Sequence, residues 1–121
     1  MDKFVNDLFD ILVKILPADW EKTILHIELA GRSHSLLFFV KAENTVKYFS
    51  FAELEKLGFF SRYEFQNVSM QIGKVSREYQ QTFEKKWIGY TLVIFRNGRN
   101  FVDFEHQPNA VSDDWKRKYL I

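Results

Sequence analysis

An Asn-Gly pair set between two apolar runs constrains this chain more than any other local feature. Trp87 to His106 reads WIGYTLVIFRNGRNFVDFEH, with Asn97-Gly98 near its middle. A two-residue type I′ turn demands positive φ at both central positions, and these two residue types tolerate it best, so the stretch predicts a β-hairpin. Taking Asn97 and Gly98 as the turn residues sets the register. One face then pairs Ile94 with Phe101, Leu92 with Asp103 and Tyr90 with Glu105. The other pairs Phe95 with Asn100, Val93 with Val102 and Thr91 with Phe104. Both faces are apolar, one with two carboxylates at its margin, so both need cover. The cover comes from the chain's own helices, the simpler expectation, or from another molecule.

At 121 residues the chain reads as one domain, 1–121, long enough to bury a core without disulfides or a structural metal. It contains no cysteine, which removes disulfides and thiolate metal sites. A formal charge of +1 gives no global attraction to nucleic acid or to an anionic membrane. Thirteen phenylalanines imply a large aromatic core, a sticky surface, or both. The apolar run from Leu8 to Leu16 is broken by Asp10 and Lys14 and follows Asp2 and Asp7, so it is not a secretion signal. No run reaches transmembrane length. A cytoplasmic protein with no membrane partner is the expectation.

The remaining pattern gives an order of elements. Residues 3 to 16 carry Phe4, Val5, Leu8, Phe9, Leu12, Ile15 and Leu16 at helical spacing, with Asp2 as N-cap and Pro17 as terminator. From Trp20 to Leu29 the period becomes two: Leu25, Ile27 and Leu29 share one face, and Ile24, His26 and Glu28 the other. His34 to Lys41 and Thr45 to Phe49 follow as strands after short turns, an antiparallel meander. Ser50-Phe51-Ala52-Glu53 and Ser61-Arg62-Tyr63-Glu64 both match a capping box and start a short helix and a long one. The stripe Phe65, Val68, Ile72, Val75, Tyr79 and Phe83 makes the second about five turns long, with Lys85-Lys86 near its C-terminal end and Gly73 in its interior. Gly73 suggests a close approach or simple tolerance. After the hairpin, Ser112 caps a final helix with Asp113 and Asp114 in its first turn and Lys116, Arg117 and Lys118 in its last, with Trp115 and Tyr119 on one side. The fold class is therefore α+β: an antiparallel sheet of about five strands, a meander plus a C-terminal hairpin, with an N-terminal helix, a long central helix and a short C-terminal helix.

Catalytic patterns are weak. His26, His34 and His106 lack His-x-His or His-Glu-x-x-His spacing and read as strand polar residues rather than as metal ligands. No serine lies in a Gly-x-Ser-x-Gly context, and the five glycines form no phosphate loop. Glu53 and Glu64 are explained by capping, whereas Asp103 and Glu105 are spaced to share one strand face without an evident enclosure. Arg96, Arg99 and Lys116 to Lys118 beside aromatics raise a nucleic-acid platform, but those carboxylates project from the face it would use and repel phosphate. These observations point away from an enzyme, and no cofactor or metal is expected.

Several residues taken in order carry a family likeness. They are Leu16-Pro17-Ala18-Asp19-Trp20 after an amphipathic helix, the aromatics Phe38, Phe39 and Tyr48-Phe49, and a long helix closing on Lys86-Trp87. Asn97-Gly98 with Val102-Asp103-Phe104-Glu105 follows, then Trp115-Lys116-Arg117-Lys118-Tyr119-Leu120. Across most of its length the chain resembles the YezG-like immunity proteins. The resemblance implies a bacterial antitoxin that binds the C-terminal toxin domain of a secreted polymorphic or contact-dependent toxin, often a nuclease, as a heterodimer, and so protects the producing cell. Such proteins tend to be strongly acidic with a tyrosine-rich segment after the turn. This chain has Val102-Asp103-Phe104-Glu105-His106 there and a net charge near zero, which argues against bulk mimicry of nucleic acid. The expected toxin contacts are Tyr90, Asp103 and Glu105 on the hairpin, with Asp113 and Asp114 as the candidates if helices cover that face. The alternative function is a small nucleic-acid- or ligand-binding regulator.

Overall fold

A computed structural model describes residues 2–106 and 114–120. The elements run α1 (Lys3–Leu12), β1 (Trp20–Ala30), β2 (Ser33–Ala42), β3 (Tyr48–Ser50), α2 (Phe51–Lys56), α3 (Arg62–Gln80), β4 (Gly89–Phe95), β5 (Asn100–Glu105) and α4 (Asp114–Tyr119). This is the expected α+β order. The five strands form one antiparallel sheet in the order β3-β2-β1-β4-β5. The meander and the hairpin meet where β4 pairs with β1, with α2 and α3 in the connection between them. Among the described residues no helix is long and apolar enough to cross a membrane.

The start signals act as their chemistry requires. Asp2 accepts the Val5 amide at 3.0 Å, and both serine boxes close reciprocally, Ser50 with Glu53 and Ser61 with Glu64. The ends come earlier than the apolar stripes suggest. After Leu12 and after Gln80 the chain tightens into i to i+3 turns, with Ile15 N–H on Leu12 O and Phe83 N–H on Gln80 O. The stripe residues stay packed while the α-helical bonds stop. Lys85 and Lys86 consequently lie beyond α3, and Arg77 is the base in its last turn. Its guanidinium donates to Gly31 O at 2.6 Å and to Ser33 O, tying the helix to the β1–β2 turn.

The helices α1 and α3 bury one face of the sheet. Leu25 and Ile27 of β1, Leu36, Phe38 and Val40 of β2, and Tyr90, Leu92 and Ile94 of β4 form its floor. Aromatic side chains fill the space above. Phe4 stacks on Tyr79 with centroids 3.9 Å apart, Phe51 stacks on Phe65 at 4.7 Å, and Trp87 packs on Phe104 at 5.0 Å. Much of the phenylalanine content is thus core. Inside it the hydroxyls of Ser76 and Tyr90, both wholly buried, satisfy each other at 2.7 Å. Gly73 marks a close approach: a Cβ there would lie 2.5 Å from Cε1 of His34, whose ring reaches Ser69 Oγ at 3.1 Å.

The hairpin departs from its expected register. Phe95 N–H bonds Arg99 O and Gly98 N–H bonds Phe95 O, so the loop has three residues, Arg96, Asn97 and Gly98. Gly98 takes positive φ (93°) and Asn97 does not; this is a type I turn closed by a left-handed glycine. Asn97 instead accepts the Arg99 amide on its side chain. One extra loop residue shifts every pair by one, giving Tyr90 with Phe104, Leu92 with Val102, Thr91 with Asp103 and Val93 with Phe101. With a side-chain period of two, β5 is turned over relative to the two-residue reading.

Two substitutions test this packing. Gly73→Ala should destabilise the fold by about 1 to 2 kcal/mol in chemical denaturation, because the His34 ring must move and lose Ser69; in a His34→Ala background it should stabilise by about 1 kcal/mol through helix propensity. Ser76→Ala should cost about 1 to 3 kcal/mol by orphaning the Tyr90 hydroxyl, and adding Tyr90→Phe should recover most of that loss.

Candidate functional site on the second face of the sheet

Turning β5 over separates residues that the two-residue turn would have joined. Tyr90, Leu92 and Ile94 face the helices, and Tyr90 is 0% exposed. Burial pushes its phenol well above the usual tyrosine range, offset only in part by Ser76. Tyr90 therefore belongs to the core and offers no contact to a partner. Phe101, Asp103 and Glu105 stand on the opposite face, and the mixed apolar and acidic surface does not form.

That second face is organised in cross-strand rows. Ile24 lies beside Val93, and Val93 beside Phe101; His26 lies beside Thr91, and Thr91 beside Asp103; Glu28 lies beside Gly89, and Gly89 beside Glu105. The apolar row is covered by α4, whose Tyr119 is buried against Ile24 and Val93, with Leu120, Phe39 and Phe95 around them. Lys22 donates to Tyr119 O at 2.9 Å and lies over the rings of Tyr48 and Phe95. Asp113 lies outside the described residues, as does Ser112. Of Asp114 only the backbone is described, as the first residue of α4.

Asp103 is the pin of this contact. Its Oδ2 accepts the Tyr119 hydroxyl at 2.5 Å and the Lys118 ammonium at 3.1 Å. The Tyr119 hydrogen bond, then Lys118, holds the Asp103 carboxyl below the ordinary aspartate value. Burial, then the bond to Asp103, raises the Tyr119 phenol. The side chain of Asp103 remains 48% exposed.

The polar row at the far end is different. His26 is 3% exposed, with Nδ1 at 2.8 Å from Thr91 Oγ1 and Nε2 at 3.3 Å from Glu28 Oε1. Glu28 is 44% exposed. One ligand-type atom from each of His26, Glu28 and Glu105 lies within 4.8 Å of the others. His34 faces α3 instead, so the three histidines do not act together. The sequence signal for this group was His26-x-Glu28 at strand period, which a search among histidines alone passes over. Three bases of the suggested nucleic-acid platform, Arg96, Arg99 and Lys118, have internal partners. Arg96 donates to Ala18 O and Trp20 O and lies over the Trp20 ring, Arg99 lies over Phe95, and Lys118 holds Asp103. Elsewhere an apolar cleft of about 480 Å³ opens between Pro17, Val40, Phe49, Leu54 and Leu57, with Leu57 and Phe59 exposed at its rim.

A family model described as Immunity protein YezG-like matches residues 1–120. No curated protein matches the chain.

Asp103→Asn should increase hydrogen exchange of the α4 amides about two- to fivefold, the range of a half-exposed charged contact. The pH dependence follows the shifts. The Asp103 contact is complete above the ordinary aspartate value of about 4 and is lost as pH falls through its lower folded value. The Tyr119 contribution is complete below the ordinary tyrosine value of about 10 and is lost as pH rises through its raised folded value. Protection factors of α4, corrected for intrinsic rates, should therefore be flat between these limits.

Proposed function

The chain belongs to the YezG-like immunity protein family, and from that premise we propose that it binds the C-terminal domain of a cognate secreted toxin. In this reading it forms a heterodimer in the cytoplasm, blocks the toxin by occlusion and performs no chemistry of its own. The target class that fits best is a nuclease of the polymorphic or contact-dependent kind, because such an active site gathers cationic side chains around its phosphate-binding groove. The contact face we assign is the polar end of the second sheet face, Glu28, Asp103 and Glu105, together with Asp113 and Asp114. One observation carries this choice: the carboxylates of Glu28 and Asp103 are about half exposed at fixed positions on the sheet. Carboxylates in fixed positions speed encounter with a basic partner and set its orientation. A net charge of +1 favours such a local acidic strip over charge mimicry by the whole surface.

Co-expression with the toxin domain encoded beside this chain tests the reading. Growth should be restored and the two chains should elute together; continued killing with separate elution overturns it. Glu28→Lys/Glu105→Lys should weaken the complex by at least about tenfold, mostly through slower association at low salt, with circular dichroism to confirm that the chain still folds. Phe59→Ser should leave affinity within about threefold, whereas its loss would move the contact to the apolar cleft.

A further inference from the structure

We propose that His26, Glu28 and Glu105 form a binding site for a divalent transition-metal ion of the zinc class. The argument begins with Gly89. Glu28 and Glu105 are separated by the whole of β4, since both pair with Gly89 from opposite sides. Two strand spacings amount to about 10 Å, so their carboxylates meet only by leaning over the intervening strand. A side chain at residue 89 would fill that space. A Cβ there would sit 2.7 Å from the Ile27 carbonyl and 3.3 Å from Glu28 Cγ. Glycine thus leaves a notch in the middle of the sheet into which two carboxylates converge.

The third member makes the notch more than an acidic cluster. His26 is buried, and Thr91 at 2.8 Å from Nδ1 fixes its ring plane. Nε2 is directed at the carboxylate side, 3.3 Å from Glu28 Oε1. A hydrogen-bonded first nitrogen that orients the second is the arrangement of a metal-binding histidine. The separations agree. Ligands about 2.0 to 2.2 Å from a tetrahedral zinc ion lie about 3.3 to 3.6 Å apart. The His26–Glu28 pair already has this spacing. The remaining atoms lie within 4.8 Å of one another. One imidazole and two carboxylates suit Zn²⁺, Co²⁺ or Ni²⁺, whereas Mg²⁺ and Ca²⁺ prefer oxygen alone. Asp103 stands outside the set because Tyr119 and Lys118 hold it.

The test uses the full chain without an affinity tag, stripped with chelator and free of toxin, so its outcome is independent of immunity. Calorimetric titration with Zn²⁺ near neutral pH should give one ion per chain. Co²⁺ should develop the visible absorption of a four-coordinate site. Affinity should fall by at least about tenfold in Glu28→Gln and in Glu105→Gln, both at partly exposed positions that tolerate the change. His34→Asn and His106→Asn should bind as the parent does. Absence of binding overturns the site, as does equal affinity in Glu28→Gln/Glu105→Gln or loss of binding in His106→Asn. His26→Gln should abolish binding, with circular dichroism to confirm that the chain still folds.

Discussion

The register of β5 against β4 is the constraint from which the two surfaces of this protein follow. Gly98 in a left-handed conformation closes a three-residue loop, and that loop length decides which alternate residues of β5 join the helices. Val102 and Phe104 go inward to meet Leu92, Trp87 and Tyr79; Phe101, Asp103 and Glu105 go outward. A register one residue away would place carboxylates beside the aromatic core, at a desolvation cost of several kcal/mol for each unpaired charge. Turn geometry and core chemistry therefore select the same pairing.

With the register set, the two faces divide the work of the fold. The helix-covered face holds the larger core, where the polar groups of Ser76 and Tyr90 are paired with each other. The second face has a smaller apolar cluster, on which the six-residue α4 sits as a lid. Asp103 fastens that lid through Tyr119 and Lys118. On this face ionisable side chains are held by strands rather than loops. Rigid placement of this kind serves recognition of a charged partner and capture of a cation equally well. Both uses draw on the same carboxylates, so an ion bound at Glu28 and Glu105 would lower the negative charge available to a basic partner. The sheet couples the two by geometry alone.

Local chemistry made much of this legible in advance. The capping boxes at Ser50 and Ser61, the Asp2 cap, the alternation along β1 and the stripes of α1 and α3 depend on residues within one turn or one strand of each other. The element order and the α+β class followed from them. So did the prospect that Gly73 marks a close approach, although its partner, His34, is supplied by β2. Helix ends were less legible, because the apolar stripe of α3 continues through Phe83 while its α-helical bonds stop at Gln80.

What the sequence by itself determined is the set of elements, their order and the face that α1, α3 and β1 would bury, since those are properties of neighbouring residues. Tertiary structure alone decided the strand order, the three-residue turn, the removal of Tyr90 to the core and the meeting of Glu28 with Glu105 across Gly89. An Asn-Gly pair is compatible with two loop lengths that differ little in local energy, and only the competition for cover under α1 and α3 separates them. Residues 77 positions apart come together over a glycine because β4 inserts between β1 and β5, a long-range pairing that no local pattern encodes.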